Sequence, residues 1–184
     1  MSSPKYSIII TEYQAAQPTV EVNGTTITST LEGSAIKGLT EKILSEEGLP
    51  TNPVADKWYP QQKWLNVLRK IHQKYGSLNL KMIGKKIPET ANFPPEVNNI
   101  EAGLDAIGMA YRMNHRGGEI GYYKYVKTGD REGYVEAQNP YPCDFDIGIV
   151  EGMAKRFVPA ASVRHIDGEC RKNHGIYCRY KVNW

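Results

Sequence analysis

Cysteine is scarce in this chain, and no two cysteines form a C-x-x-C pair. The three present, Cys143, Cys170 and Cys178, cannot all pair with one another. A chain of 184 residues buries a core without disulfide help. Free or metal-bound thiols in a reducing, cytoplasmic compartment are therefore expected. Long apolar runs are missing as well. None approaches the roughly 20 residues that span a bilayer, and Ile8-Ile9-Ile10 is too brief for a signal-peptide core. Charge of one sign is not concentrated. The net charge is +3, and Lys85-Lys86 and Arg171-Lys172 read as solvated faces, so nucleic acid is not an expected partner. No G-x-S-x-G, phosphate loop or dinucleotide fingerprint occurs, and no catalytic residue is assigned.

The apolar residues that are present have clear periods. Tyr6 to Thr11 reads as a strand, and Val20 to Thr28 as a hairpin turning at Asn23-Gly24. Ser34 is placed as the cap of a helix carrying Ile36, Leu39 and Ile43 and stopped by Gly48. Pro60 opens a helix with Trp64, Leu68, Ile71 and Tyr75 on one face. Gly76-Ser77 breaks it, and a shorter helix carries Leu80, Ile83 and Ile87. Asn99 caps a third long helix, with Leu104, Ile107 and Tyr111 inward, closed by Gly117-Gly118.

Two strands, Gly121 to Val126 and Gly133 to Gln138, follow. A helix from Asp144 to Phe157 places Phe145, Ile149 and Met153 on one stripe, with Gly148 and Gly152 open to a close neighbour. Val163 to Asp167 and Ile176 to Trp184 close the chain as strands, with Ile176, Cys178, Tyr180, Val182 and Trp184 on the apolar face. The expected class is α+β: an antiparallel sheet with helices packed on one face, built as an N-terminal helical region followed by β-hairpin, helix and β-hairpin. Within one domain of 1–184, residues 1–30 form the strand and hairpin, 33–118 the helical part and 119–184 the core that carries the site.

The chemistry gathers at the C-terminal end. Cys143 starts a helix, Cys170 follows one strand and Cys178 lies eight residues on, in the next. Asp167, His165, Glu169 and His174 are nearby, so a metal with a fourth ligand from this group is expected. Cys143 with His165 or His174 would alternatively serve a cysteine- or metal-dependent hydrolase. A buried cysteine such as Cys178 is also at home in a core without metal.

The residues Gly148, Gly152, Cys170, Gly175, Cys178, Tyr180 and Trp184 carry a resemblance over the C-terminal third. The segment Gly121 to Trp184 resembles the ligand-binding superfamily of 4-vinyl-reductase domains, phenol- and xylene-responsive sensory domains, haem nitric-oxide-binding domains and Golgi-transport tethering subunits. In its aromatic-sensing members, the resemblance implies a structural zinc held here by Cys143, Asp167, Cys170 and Cys178. Asp167 is one methylene shorter than the usual Glu, and His165 is its substitute. The resemblance also implies an apolar pocket for an aromatic or tetrapyrrole-like molecule. Trp64, Leu68, Tyr111, Tyr122, Tyr134, Phe145, Ile149 and Met153 are the candidate lining residues.

One branch holds haem through a histidine and a Tyr-x-Ser-x-Arg signature. That signature is absent here, His115 is expected at a helix end favoured by the dipole, and haem is disfavoured as the ligand. Output is expected through a homodimer of exposed tyrosines or a separate signalling partner.

Overall fold

The computed structural model describes residues 10–34, 36–91, 93–166, 168 and 170–184. The strand expected at Tyr6 to Thr11 lies mostly outside them, as do the ligand candidates Asp167 and Glu169. The element order is β1 (Glu21–Asn23), α1 (Gly24–Gly33), α2 (Lys37–Glu46), β2 (Trp58–Pro60), α3 (Gln61–Thr90), α4 (Ile100–Met113) and β3 (His115–Arg116). It continues with β4 (Tyr122–Gly129), β5 (Glu132–Gln138), α5 (Cys143–Phe157), β6 (Ser162–His165), a 3₁₀ turn (Arg171–Asn173) and β7 (Cys178–Asn183). The class is α+β, as the alternation of β5 and β7 and the helical stripes indicate.

The larger sheet is antiparallel in the order β4-β5-β7-β6. Alternation puts Val135, Ala137, Cys178, Tyr180 and Val182 on its buried face. The opposite face carries Glu136 and Arg179, which pair at 2.8 Å. Ile176 departs from the expected stripe: it precedes β7 and is 61% exposed.

The hairpin expected at Asn23-Gly24 is absent. Asn23 instead caps α1, its side-chain oxygen accepting the Thr25 N–H at 2.9 Å. Asn-Gly serves a type I′ turn and a helix N-cap equally well, so local sequence does not decide between them. The partners decide: β1 pairs antiparallel with β2 and β3, both remote in sequence, to form a second sheet in the order β2-β1-β3. Ser34 likewise ends α1 rather than capping α2.

In α3, Trp64, Leu68 and Ile71 are buried as their spacing requires, and the helix kinks at Gly76, whose φ of 79° suits glycine. Beyond the kink, α3 runs against α5 at backbone contact. A side chain at Gly148 or Gly152 would meet the Lys81 or Lys85 carbonyl, and one at Gly84 would meet that of Phe145. This approach fixes the first turn of α5, and hence Cys143 and Phe145. Asn99 caps α4 by accepting the Ala102 N–H at 3.0 Å, and α4 ends at Met113, ahead of the glycines expected to close it.

Candidate functional site: an apolar cavity beside a thiol cluster

A cavity of about 180 Å³ lies between α1, the end of α3, α4 and α5. Its apolar wall comes from Ile87, Phe93, Ile107, Phe145, Ile149 and Met153. Thr25, Thr26 and Ser29 of α1 add hydroxyls, and no charged side chain lines it among the described residues. Of the lining residues expected from sequence, Tyr111, Phe145, Ile149 and Met153 are on this wall. Trp64 and Leu68 are fully buried elsewhere in the core. Tyr122 and Tyr134 also lie off it, on the other side of the sheet: the Tyr122 hydroxyl donates to Glu136, and Arg179 covers the Tyr134 ring.

Apart from Tyr111, the polar part of the wall was not legible in the sequence. His115 is buried, and Nδ1 lies 2.8 Å from the Tyr111 carbonyl oxygen. A carbonyl only accepts, so Nδ1 carries the proton. In the neutral ring Nε2 then accepts from the Tyr141 hydroxyl, 2.6 Å away. Burial pushes this imidazole down to about 4, against the opposing pull of the Tyr111 carbonyl. His115 does sit just past the end of α4, as expected from sequence, but it is neutral there, because desolvation outweighs the helix dipole. Burial raises the Tyr111, Tyr123 and Tyr141 hydroxyls, so all three are neutral donors.

The thiol cluster stands behind the cavity. The Sγ atoms of Cys143, Cys170 and Cys178 are separated by 3.4, 3.1 and 3.7 Å, and no disulfide joins them. A ring nitrogen of His165 joins them, with all four donor atoms within 4.8 Å of one another. A tetrahedral site with metal–sulfur bonds near 2.3 Å has S···S edges of roughly 3.8 Å, somewhat wider than these spacings, so the three sulfurs reach it by small outward shifts.

The thiols are unequal. Hydrogen bonding from Cys143 pulls the Cys178 thiol down, and His165 and Arg171 add to the effect against burial. Cys143 is pushed up by the same coupling, by burial and by Glu12. Glu12 accepts the Cys143 backbone N–H and lies 2.9 Å from its sulfur. No sequence signal points to Glu12, which is 131 residues away. His174 is exposed, in the left-handed region at φ 61°. It is not part of the four-donor group.

Between the two features lies a buried ion pair. Asp146 Oδ2 is 2.5 Å from Arg171 Nη2, with both side chains fully buried. Arg171 also donates to the Asn139 carbonyl and side-chain oxygens. Burial raises the Asp146 carboxyl, and the guanidinium opposes that shift.

No family model matches the chain, and no curated protein is similar in sequence. Solved structures are similar in fold. An H-NOX protein from S. oneidensis in its Fe(II)NO state superposes with a TM-score of 0.67 at 10% identity, covering 88% of this chain and 98% of that one. A structure described as modulating haem redox potential through porphyrin distortion gives 0.63 at 15% identity, covering 87% and 97%. An oxygen-binding H-NOX domain related to soluble guanylate cyclases gives 0.62 at 14%, covering 87% and 92%. The fold is that of the H-NOX domains.

Two expectations are corrected. The likeness in fold spans nearly nine-tenths of the chain rather than its C-terminal third, and the solved structures that carry it are H-NOX domains, with no support for the 4-vinyl-reductase likeness. The disfavouring of haem rested on a missing short signature and on the placing of His115 at a helix end. It is overturned by a fold shared with structures described by their haem. Short signatures diverge while a backbone persists.

Proposed function

We propose that this chain is a small-molecule-binding domain of the sensor type, with its ligand in the cavity walled by α4 and α5. The observation that carries the reading is that cavity. It is apolar and free of charged lining, with a few oriented hydroxyls and one neutral imidazole, and it lies within the H-NOX fold. The ligand class is planar aromatic or tetrapyrrole-like, and the part of it that enters the cavity is uncharged.

Haem, named for the structural neighbours, is the tetrapyrrole to test first. His115 is the imidazole on the cavity wall, and its Nε2 is the nitrogen an iron would need. The Tyr141 hydroxyl holds that nitrogen, and no Lys or Arg among the described lining residues would meet the propionates. These residues fit an uncharged planar ligand as they stand, and haem only with Tyr141 displaced. His115 would then be the residue that holds the iron, with Nδ1 kept on the Tyr111 carbonyl.

The test is a titration with N-phenyl-1-naphthylamine, whose fluorescence rises in apolar sites, alongside a haem titration read in the visible. Ile149→Trp fills the cavity and should abolish probe binding while the fold is retained by circular dichroism. Equal binding by that variant would overturn the reading.

The cluster is read as a structural metal site with Cys143, Cys170, Cys178 and His165 as ligands. Zinc suits its three sulfurs and one nitrogen. With four protein donors the shell is full, leaving no open position for hydrolysis, and His165 is a ligand rather than a base for Cys143. Elemental analysis of freshly purified protein should give one metal per chain.

A further inference from the structure

The cavity wall and the thiol cluster are joined by an unbroken chain of buried polar contacts. Tyr123, on the wall, donates its hydroxyl to Asp146 Oδ1 at 2.5 Å. Asp146 Oδ2 holds Arg171 Nη2 at 2.5 Å. Arg171 Nε points at Cys178 Sγ from 3.4 Å, and its backbone N–H reaches the same sulfur at 3.5 Å. All four residues are buried. Asn139 braces the middle: its side chain donates to Asp146 Oδ2 and accepts from Arg171 and from the Tyr141 backbone.

In such a buried chain no water replaces a bond that is lost, so a change at one end must be answered at the next. A ligand oxygen that accepts the Tyr123 hydroxyl proton removes the donor from Asp146 Oδ1. The carboxylate keeps only long contacts from Asn139 and the Tyr180 hydroxyl, each at 3.4 Å, and so depends more heavily on Arg171 at 2.5 Å. The guanidinium is a rigid planar fork, so turning it toward Asp146 turns Nε away from Cys178. Tyr111, beside Tyr123 on the same wall, is outside the chain, because its hydroxyl donates to the Ile120 carbonyl.

We propose that occupancy of the cavity and the state of the thiol cluster are coupled through Tyr123, Asp146 and Arg171. The coupling ligands are uncharged aromatics bearing a hydrogen-bond acceptor such as a carbonyl oxygen. Asp146 and Arg171 are positioning residues. The coupling is reciprocal: whatever fixes Cys178 also changes the affinity of the cavity for such ligands. This rests on the cavity reading above and not on the cluster holding a metal.

The experiment reads the cluster and perturbs the wall. The rate of thiol reaction with a disulfide reagent (DTNB) is measured on the metal-stripped full chain, and cobalt(II) affinity is read from sulfur-to-metal charge-transfer absorption. Tyr123→Phe should shift the thiol rate by about threefold or more, the scale of residues in one network, while Tyr122→Phe, on the other face of the sheet and off the cavity, leaves it unchanged. Benzophenone, which has an acceptor, should shift the wild-type rate, whereas biphenyl, which has none, should not. That second arm stands even if a tyrosine variant fails to fold. Equal rates for the two tyrosine variants, or equal effects of the two probes, would overturn the coupling. Absence of a cobalt spectrum sinks only the metal reading, because the thiol rates still report. Unchanged naphthylamine binding in Ile149→Trp sinks the cavity reading while leaving the Tyr123 and Tyr122 comparison to decide the relay.

Discussion

Lowering the pH should destabilise this fold through one imidazole, and the size of the effect follows from its burial. His115 is held at about 4 in the folded chain and titrates at its ordinary 6.5 when unfolded. Between those values the unfolded state binds more protons than the folded one, so stability falls as pH is lowered through that window and is fully retained above it. At pH 4.5 the difference amounts to about 2 to 3 kcal/mol, and it levels off at about 3 kcal/mol well below pH 4. His115→Gln keeps an acceptor for Tyr141 and has nothing to titrate. Urea unfolding of both proteins at pH 7.5 and 4.5 isolates the contribution, because the other carboxylates and histidines are common to both. The wild type should lose about 2 to 3 kcal/mol more than the variant on acidification. Equal losses would refute the assignment of a buried, neutral His115, and with it the tautomer that makes Nε2 an acceptor at the cavity wall.

Four further outcomes are expected. Gly148→Ala should cost about 1 to 3 kcal/mol or more in urea unfolding, because the added methyl meets the Lys81 carbonyl and α3 cannot move without displacing α5. Asp146→Asn strands the buried Arg171 charge and should cost about 3 to 5 kcal/mol, whereas pairing it with Arg171→Met should recover part of the loss. Asn99→Ala should lower stability by about 1 kcal/mol through loss of the α4 cap. A chelator should lower the melting temperature of the wild type and leave Cys178→Ser unmoved; a wild type indifferent to chelator contradicts the metal site.

Where local pattern and tertiary demand agreed, the fold was legible. Val135 and Ala137 in β5, and Cys178, Tyr180 and Val182 in β7, alternate because one face of the sheet is buried in the core. Trp64, Leu68 and Ile71 recur at helical spacing because one face of α3 is buried. Gly148 and Gly152 signalled a close neighbour, and that neighbour is α3. Local pattern misled at Asn23-Gly24, whose geometry suits two structures and whose outcome was set by the remote strands β2 and β3.

The sulfur cluster could be read because three cysteines are few and close to one another in the closing segment. The polar wall of the cavity could not. His115 and Tyr141 meet across 26 residues, and Asp146 and Arg171 across 25, with no spacing rule to announce either pair. One signal was available: Asp146 stands between Phe145 and the Ile149 stripe of an inward helix, where a carboxylate needs a buried partner.

The most direct test of the central claim, that the α4–α5 cavity is a ligand site, is native mass spectrometry of freshly purified wild-type protein and Ile149→Trp, each offered haem and N-phenyl-1-naphthylamine. The wild type should carry one small molecule, retained or added, that the tryptophan variant cannot hold. Identical bound masses in the two proteins, or no bound molecule in either, would contradict it.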